Sequence, residues 1–302
     1  MRALVIDHSA PGRLRFAEVP EPEPAGGELL VAVEAITLNR GELPRETSAA
    51  GSVPGWDAAG VVVAIGGDVE GFAPGDRVVT HAGGGGWAQL RVADAANAAL
   101  VPDGVSLEDA AALPVAGVTA LQAVRAAESV LARRVLVTGA SGGVGRFAVQ
   151  LAARAGGRVV ALVGSERRGE GLRDLGAEAV VTSLGAVEPG LAAVIETVGG
   201  STLVGALGLL GPGGVLVSIG AAADEPAVFP PFATVGGRRR LVCFSMSERI
   251  GADLAELVGL LAAGELDPQV GRRGDWSETP AVVEELRQRR VAGKAVLRVS
   301  GS

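Results

Sequence analysis

The chain of 302 residues is long enough for about two domains, and its 48% hydrophobic content supplies material for their cores. The net charge of −7 argues against a nucleic-acid partner, and no apolar stretch is long enough to span a bilayer, so a membrane partner is not expected. A single cysteine, Cys243, excludes an intrachain disulfide and any cysteine-rich zinc site, which is typical of a cytoplasmic protein.

Residues 1–112 are predicted to be rich in β-strands. Short apolar runs alternate with turn signals that contain proline and glycine, as at 66–68 and 74–76. Many short strands at this spacing indicate a compact, partly closed barrel. The predicted strands cover residues 2–6, 14–19, 29–36, 60–65, 77–80 and 88–92.

Residues 113–263 alternate strand and helix patterns, which predicts a doubly wound parallel sheet of six strands, a Rossmann domain. The expected strands are 134–138, 158–163, 179–182, 192–196, 215–219 and 241–244. The expected helices include 147–155, 167–175, 203–210 and 252–263.

Residues 264–302 show strand, helix and strand patterns at 266–270, 279–289 and 295–299. The simplest interpretation is that this segment returns to the β-rich domain. The fold class is therefore predicted as α/β, with one domain at 113–263 and another built from 1–112 and 264–302. A ligand cleft is expected between them, at the carboxyl ends of the sheet strands.

A glycine-rich turn follows the first strand of the predicted sheet, within the stretch RVLVTGASGGVGRFAVQLA that starts at Arg134. Strand, glycine turn and helix form the first half of a dinucleotide-binding unit, in which amides at the helix N-terminus bind the pyrophosphate. Ala140 takes the first glycine place of the usual pattern. The predicted cofactor residues of this turn are Ser141, Gly142, Gly143, Val144 and Gly145.

The same turn also matches the sequence pattern of a nucleophile elbow, in which Ser141 would be the nucleophile of a hydrolase. That order of residues requires a histidine after the serine. The chain contains only His8 and His81, and both precede it. The sequence therefore disfavours a hydrolase, because no base stands in the required order.

The end of the second sheet strand bears on the choice between NAD and NADP. An NAD site places an acid there for the ribose 2′-OH, and Gly164 stands at that position. Ser165, Arg167 and Arg168 can bind a 2′-phosphate, so NADP (NADPH) is predicted. Two alternatives stay open: Glu166 faces the ribose or pairs with an arginine, or the segment is simply a solvated start of a helix.

Six short motifs in fixed order cover nearly the whole chain. They are PGWDAAG at 54–60, PGDRV at 74–78, GWAQ at 86–89, LPVAGVTA at 113–120, ETVGG at 196–200 and GKAVL at 293–297. With these motifs the chain resembles the zinc-independent medium-chain dehydrogenases/reductases of the quinone oxidoreductase-like branch. The resemblance implies a GroES-like substrate domain beside the Rossmann domain, and nicotinamide-dependent hydride transfer.

The resemblance also implies where catalytic zinc would bind in zinc-using members. The cysteine position corresponds to Asn39, the histidine position to Trp56, and the third ligand falls near Val115, while Asp57 retains the acid. One carboxylate cannot build a tetrahedral site of nitrogen and sulfur ligands, so no metal is expected. Hydride transfer without a Lewis acid favours acceptors such as quinones or a C=C bond conjugated to a carbonyl.

The resemblance places two polar residues near the reactive ring, Asn39 and Thr119, which are the candidate catalytic residues. The alternatives are a turn residue for Asn39 and a helix-start hydroxyl for Thr119. Three further cofactor candidates lie at or after strand ends, where their backbones would line the ring: Val198, Gly220 and Phe244. Trp56, Trp87 and Phe244 either wall an apolar acceptor site or pack in the core.

No residue stands out as a proton donor among Arg40, Glu42, Asp57 and His81, and water is expected to supply the proton. The sequence thus predicts an NADPH-dependent reductase of a small apolar quinone or activated alkene. The alternative is an NADP(H)-binding sensor or structural protein without turnover. The strand at 241–244 is predicted to be a sheet edge that pairs in a homodimer.

Overall fold

The computed structural model describes residues 1–300, which form two compact units. The strands are β1 (Arg2–Ile6), β2 (Leu14–Glu18), β3 (Glu28–Leu38), β4 (Asp57–Ile65), β5 (Arg77–His81), β6 (Leu90–Asp94), β7 (Ala98–Leu100), β8 (Arg134–Thr138), β9 (Arg158–Leu162), β10 (Ala177–Val181), β11 (Leu191–Glu196), β12 (Leu210–Ser218), β13 (Arg240–Cys243), β14 (Val270–Asp275) and β15 (Lys294–Arg298). The α-helices are α1 (Leu107–Ala111), α2 (Thr119–Ala126), α3 (Gly143–Arg154), α4 (Gly200–Gly208), α5 (Gly251–Ala262) and α6 (Thr279–Arg287). Within residues 1–300, none of the helices is long and apolar enough to cross a membrane.

The first unit comprises Met1–Val118 and the segment that begins at Ser247. Its larger sheet has the order β14-β15-β3-β4-β5-β7, and β6 joins it by pairing with β3. The eleven residues of β3 pair with three strands: β4 lies along one edge, while on the other edge the first half pairs with β6 and the last residues pair with β15. Breaks in register between β3 and β4 bend the sheet around a core that includes Leu4, Ile36 and Trp87.

The second unit, Thr119–Met246, contains a parallel sheet of six strands in the order β10-β9-β8-β11-β12-β13. The order reverses between β8 and β11, the switch point at which doubly wound sheets bind their ligands. Leu136, Val194 and Leu216 on three adjacent strands are fully buried in its core. This parallel sheet and the separate β-rich unit confirm the predicted fold class.

The units divide at other positions than the predicted 113 and 264. Helix α5 was predicted in the dinucleotide-binding domain but belongs to the first unit. Its start is fixed there, because Ile250 N donates to Asn97 Oδ1 at 2.9 Å, and a Cβ on Gly251 would lie 2.7 Å from the Ala96 carbonyl oxygen.

Two predicted elements differ from the structure. The helix predicted at 167–175 is wrong: a 3-10 turn, Glu166–Gly169, is followed by irregular turns in which Gly171 has a φ of +75°. The strand predicted at 266–270 begins only at Val270, because Pro268 lacks an N–H and Gln269 has a φ of +54°.

Gly60 on β4 tests how closely the sheet strands of the first unit approach each other. A Cβ at Gly60 would lie 1.9 Å from the Ala32 carbonyl oxygen on β3. We expect Gly60→Ala to lower the free energy of unfolding by about 2 kcal/mol or more, because the strands must separate. Gly67→Ala is the matched control, since nothing lies within 4 Å of its Cβ, and should change stability by about 0.5 kcal/mol at most. Equal effects in urea denaturation would contradict this.

Candidate functional site

The glycine turn after β8 is tightly packed. Gly139 has a φ of +57°, and a Cβ there would lie 2.3 Å from Thr197 Oγ1. A Cβ on Gly145 would lie 2.4 Å from the Gly139 carbonyl oxygen. Both positions therefore require glycine, and the absence of side chains lets α3 start directly against the end of β8.

The N-terminus of α3 is open to a ligand. Gly142 caps the helix without a side chain, and the amides of the first turn have no acceptor within the helix. No acidic residue lies in that first turn, so the partial positive charge of the helix end is not neutralised there. Gly142 to Val144 are partly exposed, whereas Ser141 and Gly145 are buried. The turn is thus a cradle of backbone donors that fits a diphosphate.

The end of β9 presents the residues predicted to select NADP. Ser165 and Arg167 are exposed and Arg168 is half-buried, around the 3-10 turn that begins at Glu166. Glu166 is exposed as well. A cavity of about 500 Å³ next to this turn is lined by three acidic residues, Glu166, Glu170 and Asp174, and by one basic residue, Arg173. Its carboxylates disfavour an anion, so that cavity does not fit a phosphate.

The loop after β11 is held by a buried carboxylate. Glu196 is fully buried, and its Oε1 accepts from Thr138 Oγ1 at 3.0 Å and from Val198 N at 2.8 Å. Gly199 N donates to both carboxylate oxygens at 3.0 Å. Burial raises the pKa of Glu196, although these donors oppose the rise.

The remaining cofactor candidates of the second unit lie at the same edge of the sheet. Val198, Gly220 and Phe244 come shortly after β11, β12 and β13, and Phe244 N donates to the Ser218 carbonyl oxygen at 3.1 Å. Thr119 begins α2, and its Oγ1 lies 3.8 Å from Met246 Sδ. The structure therefore brings these backbones together at the carboxyl ends of three adjacent strands.

In the first unit, Asn39 is the centre of a buried polar cluster. Its Nδ2 donates to Asp57 Oδ2 at 2.8 Å and to Glu42 Oε1 at 2.9 Å. Its Oδ1 accepts from Lys294 Nζ at 2.6 Å. Both amide N–H groups are therefore engaged within the protein, and the side chain has a single orientation.

Asp57 is the fully buried anion of this cluster. It accepts from Thr37 Oγ1 at 3.2 Å and Val115 N at 3.3 Å, and its Oδ1 lies 3.2 Å from His81 Nδ1. Lys294 Nζ lies 3.7 Å from Asp57 Oδ2. Burial favours the neutral acid, but the contacts with His81 and Lys294 outweigh it and lower the pKa of Asp57. Asp57 therefore stays ionised.

Three further groups of the cluster have shifted pKa values. Burial and the charge of Asp57 raise the pKa of Glu42 to about 8, while its acceptor bonds from Asn39 N and Trp56 N oppose the rise. Burial lowers the pKa of Lys294, and lowers that of Arg91 to about 10. Arg91 Nη1 donates to the Trp56 carbonyl oxygen at 3.1 Å. The cluster thus balances two carboxyl groups against two buried cations.

The residues at the expected zinc positions do not fit zinc. Asn39 and Trp56 supply an amide and an indole where thiolate and imidazole ligands would be needed. The Lys294 ammonium, 2.6 Å from Asn39 Oδ1, repels a second cation. Within residues 1–300, no cluster of three or more Cys, His, Asp or Glu side chains could hold a metal ion.

The sequence prediction missed four buried polar residues of the clusters around Asp57 and Glu196, namely Thr37, Arg91, Thr138 and Lys294. For Lys294, the signal in the sequence was a charged residue directly before the apolar run AVL of the strand KAVLR. Among the aromatic candidates, Trp87 packs in the core, with its Nε1 donating to the Thr37 carbonyl oxygen at 3.1 Å. Trp56 and Phe244 are partly exposed.

Lys294→Met tests the charge balance of the cluster. We expect it to lower the free energy of unfolding by about 3–5 kcal/mol, because Asp57 and Asn39 Oδ1 lose a buried partner. Arg298→Met on the same strand is the control: Arg298 pairs with Glu108 at 2.6 Å but is 70% exposed, so its loss should cost about 1 kcal/mol or less. Equal losses in urea denaturation at pH 7 would contradict the assignment.

Comparison with known proteins gives matches along most of the chain. The model for the alcohol dehydrogenase GroES-like domain matches residues 25–103, and that for zinc-binding dehydrogenase matches residues 172–297. A solved mycobacterial structure complexed with NADPH has a TM-score of 0.87 at 29% identity, and covers 99% of this chain and 100% of its own.

Two curated relatives are similar in sequence. The chloroplastic quinone-oxidoreductase QR1 of Triphysaria versicolor is 39% identical over 60% of this chain and 60% of its own length. Erythronolide synthase EryA2 of Saccharopolyspora erythraea is 35% identical over 97% of this chain, but over only 9% of its own length. The chain therefore spans less than two thirds of either curated relative.

Proposed function

The chain belongs to the medium-chain dehydrogenase/reductase family, in its quinone oxidoreductase-like branch, and from this membership we propose that it is an NADPH-dependent oxidoreductase. The acceptor is a quinone or a C=C bond conjugated to a carbonyl group, and zinc takes no part. The observation that carries the proposal is the cradle at the N-terminus of α3, where Gly139 and Gly145 leave no room for a Cβ beside open backbone amides.

NADPH, when bound, supplies the hydride. The amides from Gly143 to Gly145, which have no acceptor within the helix, would bind its diphosphate, and Ser165, Arg167 and Arg168 would bind its 2′-phosphate. The backbones of Val198, Gly220 and Phe244 orient the ring end. The NADPH complex of the mycobacterial structural neighbour supports this choice of cofactor.

The donor set around Asn39 supports zinc independence. A neutral amide already bonded to a buried ammonium cannot replace a thiolate ligand. Without a Lewis acid, the acceptor itself must stabilise the negative charge that hydride addition leaves. Quinones and conjugated alkenes do so, and the similarity to QR1 supports a quinone.

Asn39 and Thr119 remain our candidates for the polar groups near the reacting ring. Asn39 acts by holding Asp57 and Glu42 in place, because both of its N–H groups are engaged with them. Thr119 contributes a hydroxyl whose bond to Met246 Sδ is long, at 3.8 Å, and easily exchanged. Water supplies the proton to the stabilised oxyanion, and the protein contributes positioning.

Homodimer formation and a cytoplasmic location stay predictions. The first is supported by β13, the last strand of the parallel sheet, where Leu241 is exposed. Phe232 and Val235, shortly before β13, are also exposed.

The function is tested by NADPH oxidation with a panel of quinones and enones. We expect turnover with at least one class, at a rate unaffected by a metal chelator. Saturable NADPH binding without consumption across the panel would indicate a binding protein without turnover instead. Loss of activity with the chelator, restored by zinc, would contradict the metal-free proposal.

Cofactor selectivity is tested at the end of β9. Arg167→Ala combined with Arg168→Ala should weaken NADPH binding by about tenfold or more and leave NADH binding unchanged, because only the 2′-phosphate contact is lost. Arg158→Ala is the control, since that arginine lies at the opposite end of β9 and pairs with Glu178 at 2.7 Å. Equal weakening of NADPH and NADH binding would show that these arginines do not read the 2′-phosphate.

A further inference from the structure

The ends of β8 and β11 are joined by side chains where their pairing stops. The register of the two strands runs to Val137 opposite Ile195. The next residues, Thr138 and Glu196, are both fully buried, and the Thr138 hydroxyl donates to Glu196 Oε1 at 3.0 Å. A hydrogen bond between side chains thus continues the connection beyond the last pair of the ladder.

Thr138 also binds the first residue after β11 twice. Its hydroxyl accepts from Thr197 N at 3.0 Å, and its carbonyl oxygen accepts from Thr197 Oγ1 at 2.9 Å. Since Gly139 follows Thr138 directly, the start of the glycine turn is fixed to the start of the loop after β11. The distance of 2.3 Å between a Cβ on Gly139 and Thr197 Oγ1 shows how close the two segments are.

Glu196 completes the connection on the other side. Its carboxylate accepts from the N–H groups of Val198 and Gly199, the two residues before the loop enters α4. The loop ends at Gly199 with a φ of +79°, and α4 begins at Gly200 with a φ of +55°, a region of backbone conformation that favours glycine. Burying the Glu196 carboxylate costs desolvation free energy. The hydrogen bonds that it accepts offset this cost, and they are the interactions for which a carboxylate is needed at this position.

We propose that Thr138 and Glu196 are positioning residues for the dinucleotide. They hold the glycine turn that binds the diphosphate in register with the Val198 backbone that orients the ring end. The inference rests on the proposed function and adds two residues that contact neither the phosphates nor the acceptor. The Thr138 hydroxyl is the essential link, because it stands directly before the glycine turn and bonds to both Glu196 and Thr197 N.

The test compares Thr138→Val with Thr138→Ser in the full chain. Valine keeps the shape but removes the hydroxyl, and serine restores it. We expect Thr138→Val to weaken NADPH binding by about tenfold and Thr138→Ser to stay within about threefold of wild type. Binding is titrated under conditions where urea denaturation shows each variant fully folded, because a merely structural role changes stability without changing the affinity of the folded protein.

If Thr138→Val fails to fold, a second variant tests whether the link between the glycine turn and the loop after β11 affects NADPH binding. Thr197→Val, at a partly exposed position, removes the bond from Thr197 Oγ1 to the Thr138 carbonyl oxygen and should weaken NADPH binding by about threefold or more. Wild-type affinity in the folded variants overturns the inference and leaves the proposed function standing. Absence of saturable NADPH binding by the wild type overturns the proposed function and the inference together.

Discussion

The close approach of three segments in the second unit sets the rest of its architecture. The end of β8, the start of α3 and the loop after β11 meet where Gly139 and Gly145 have no space for a Cβ. This packing exposes helix amides instead of side chains, and it does so at the switch point of the parallel sheet. A site made of backbone donors requires fixed loops, which the bonds of Thr138 and Glu196 supply.

Each unit contains a buried carboxylate, and the two are stabilised differently. Glu196 accepts only neutral donors, and its pKa is raised by burial. Asp57 faces Lys294 and His81, and its pKa is lowered despite complete burial. The first arrangement fixes backbone segments, while the second keeps a permanent anion beside Asn39. The ammonium of Lys294 then donates to Asn39 Oδ1 and fixes the orientation of the Asn39 amide, which does not fit the role of a zinc ligand.

The sequence predicted those features that are local in the chain. Apolar periodicity located most strands, and the consecutive glycines of the turn located α3, although the helix begins at Gly143 and not at the predicted residue 147. The prediction of a helix at 167–175 failed, since Gly171 in the middle of that segment has a left-handed φ of +75°, which interrupts a right-handed helix. Helix α5 was predicted, but its apolar face does not indicate which core it covers. The pairing of Asn39 with Lys294 lies beyond such patterns, because 255 residues separate them.

The central claim is that backbone amides at the start of α3 bind the diphosphate of a nicotinamide dinucleotide. A crystal structure of the full chain grown with NADPH tests it most directly. We expect diphosphate oxygens within about 3.2 Å of the amide nitrogens of Gly143 to Gly145. A nucleotide bound with its diphosphate at another site, or a turn left empty at saturating NADPH, would contradict the claim.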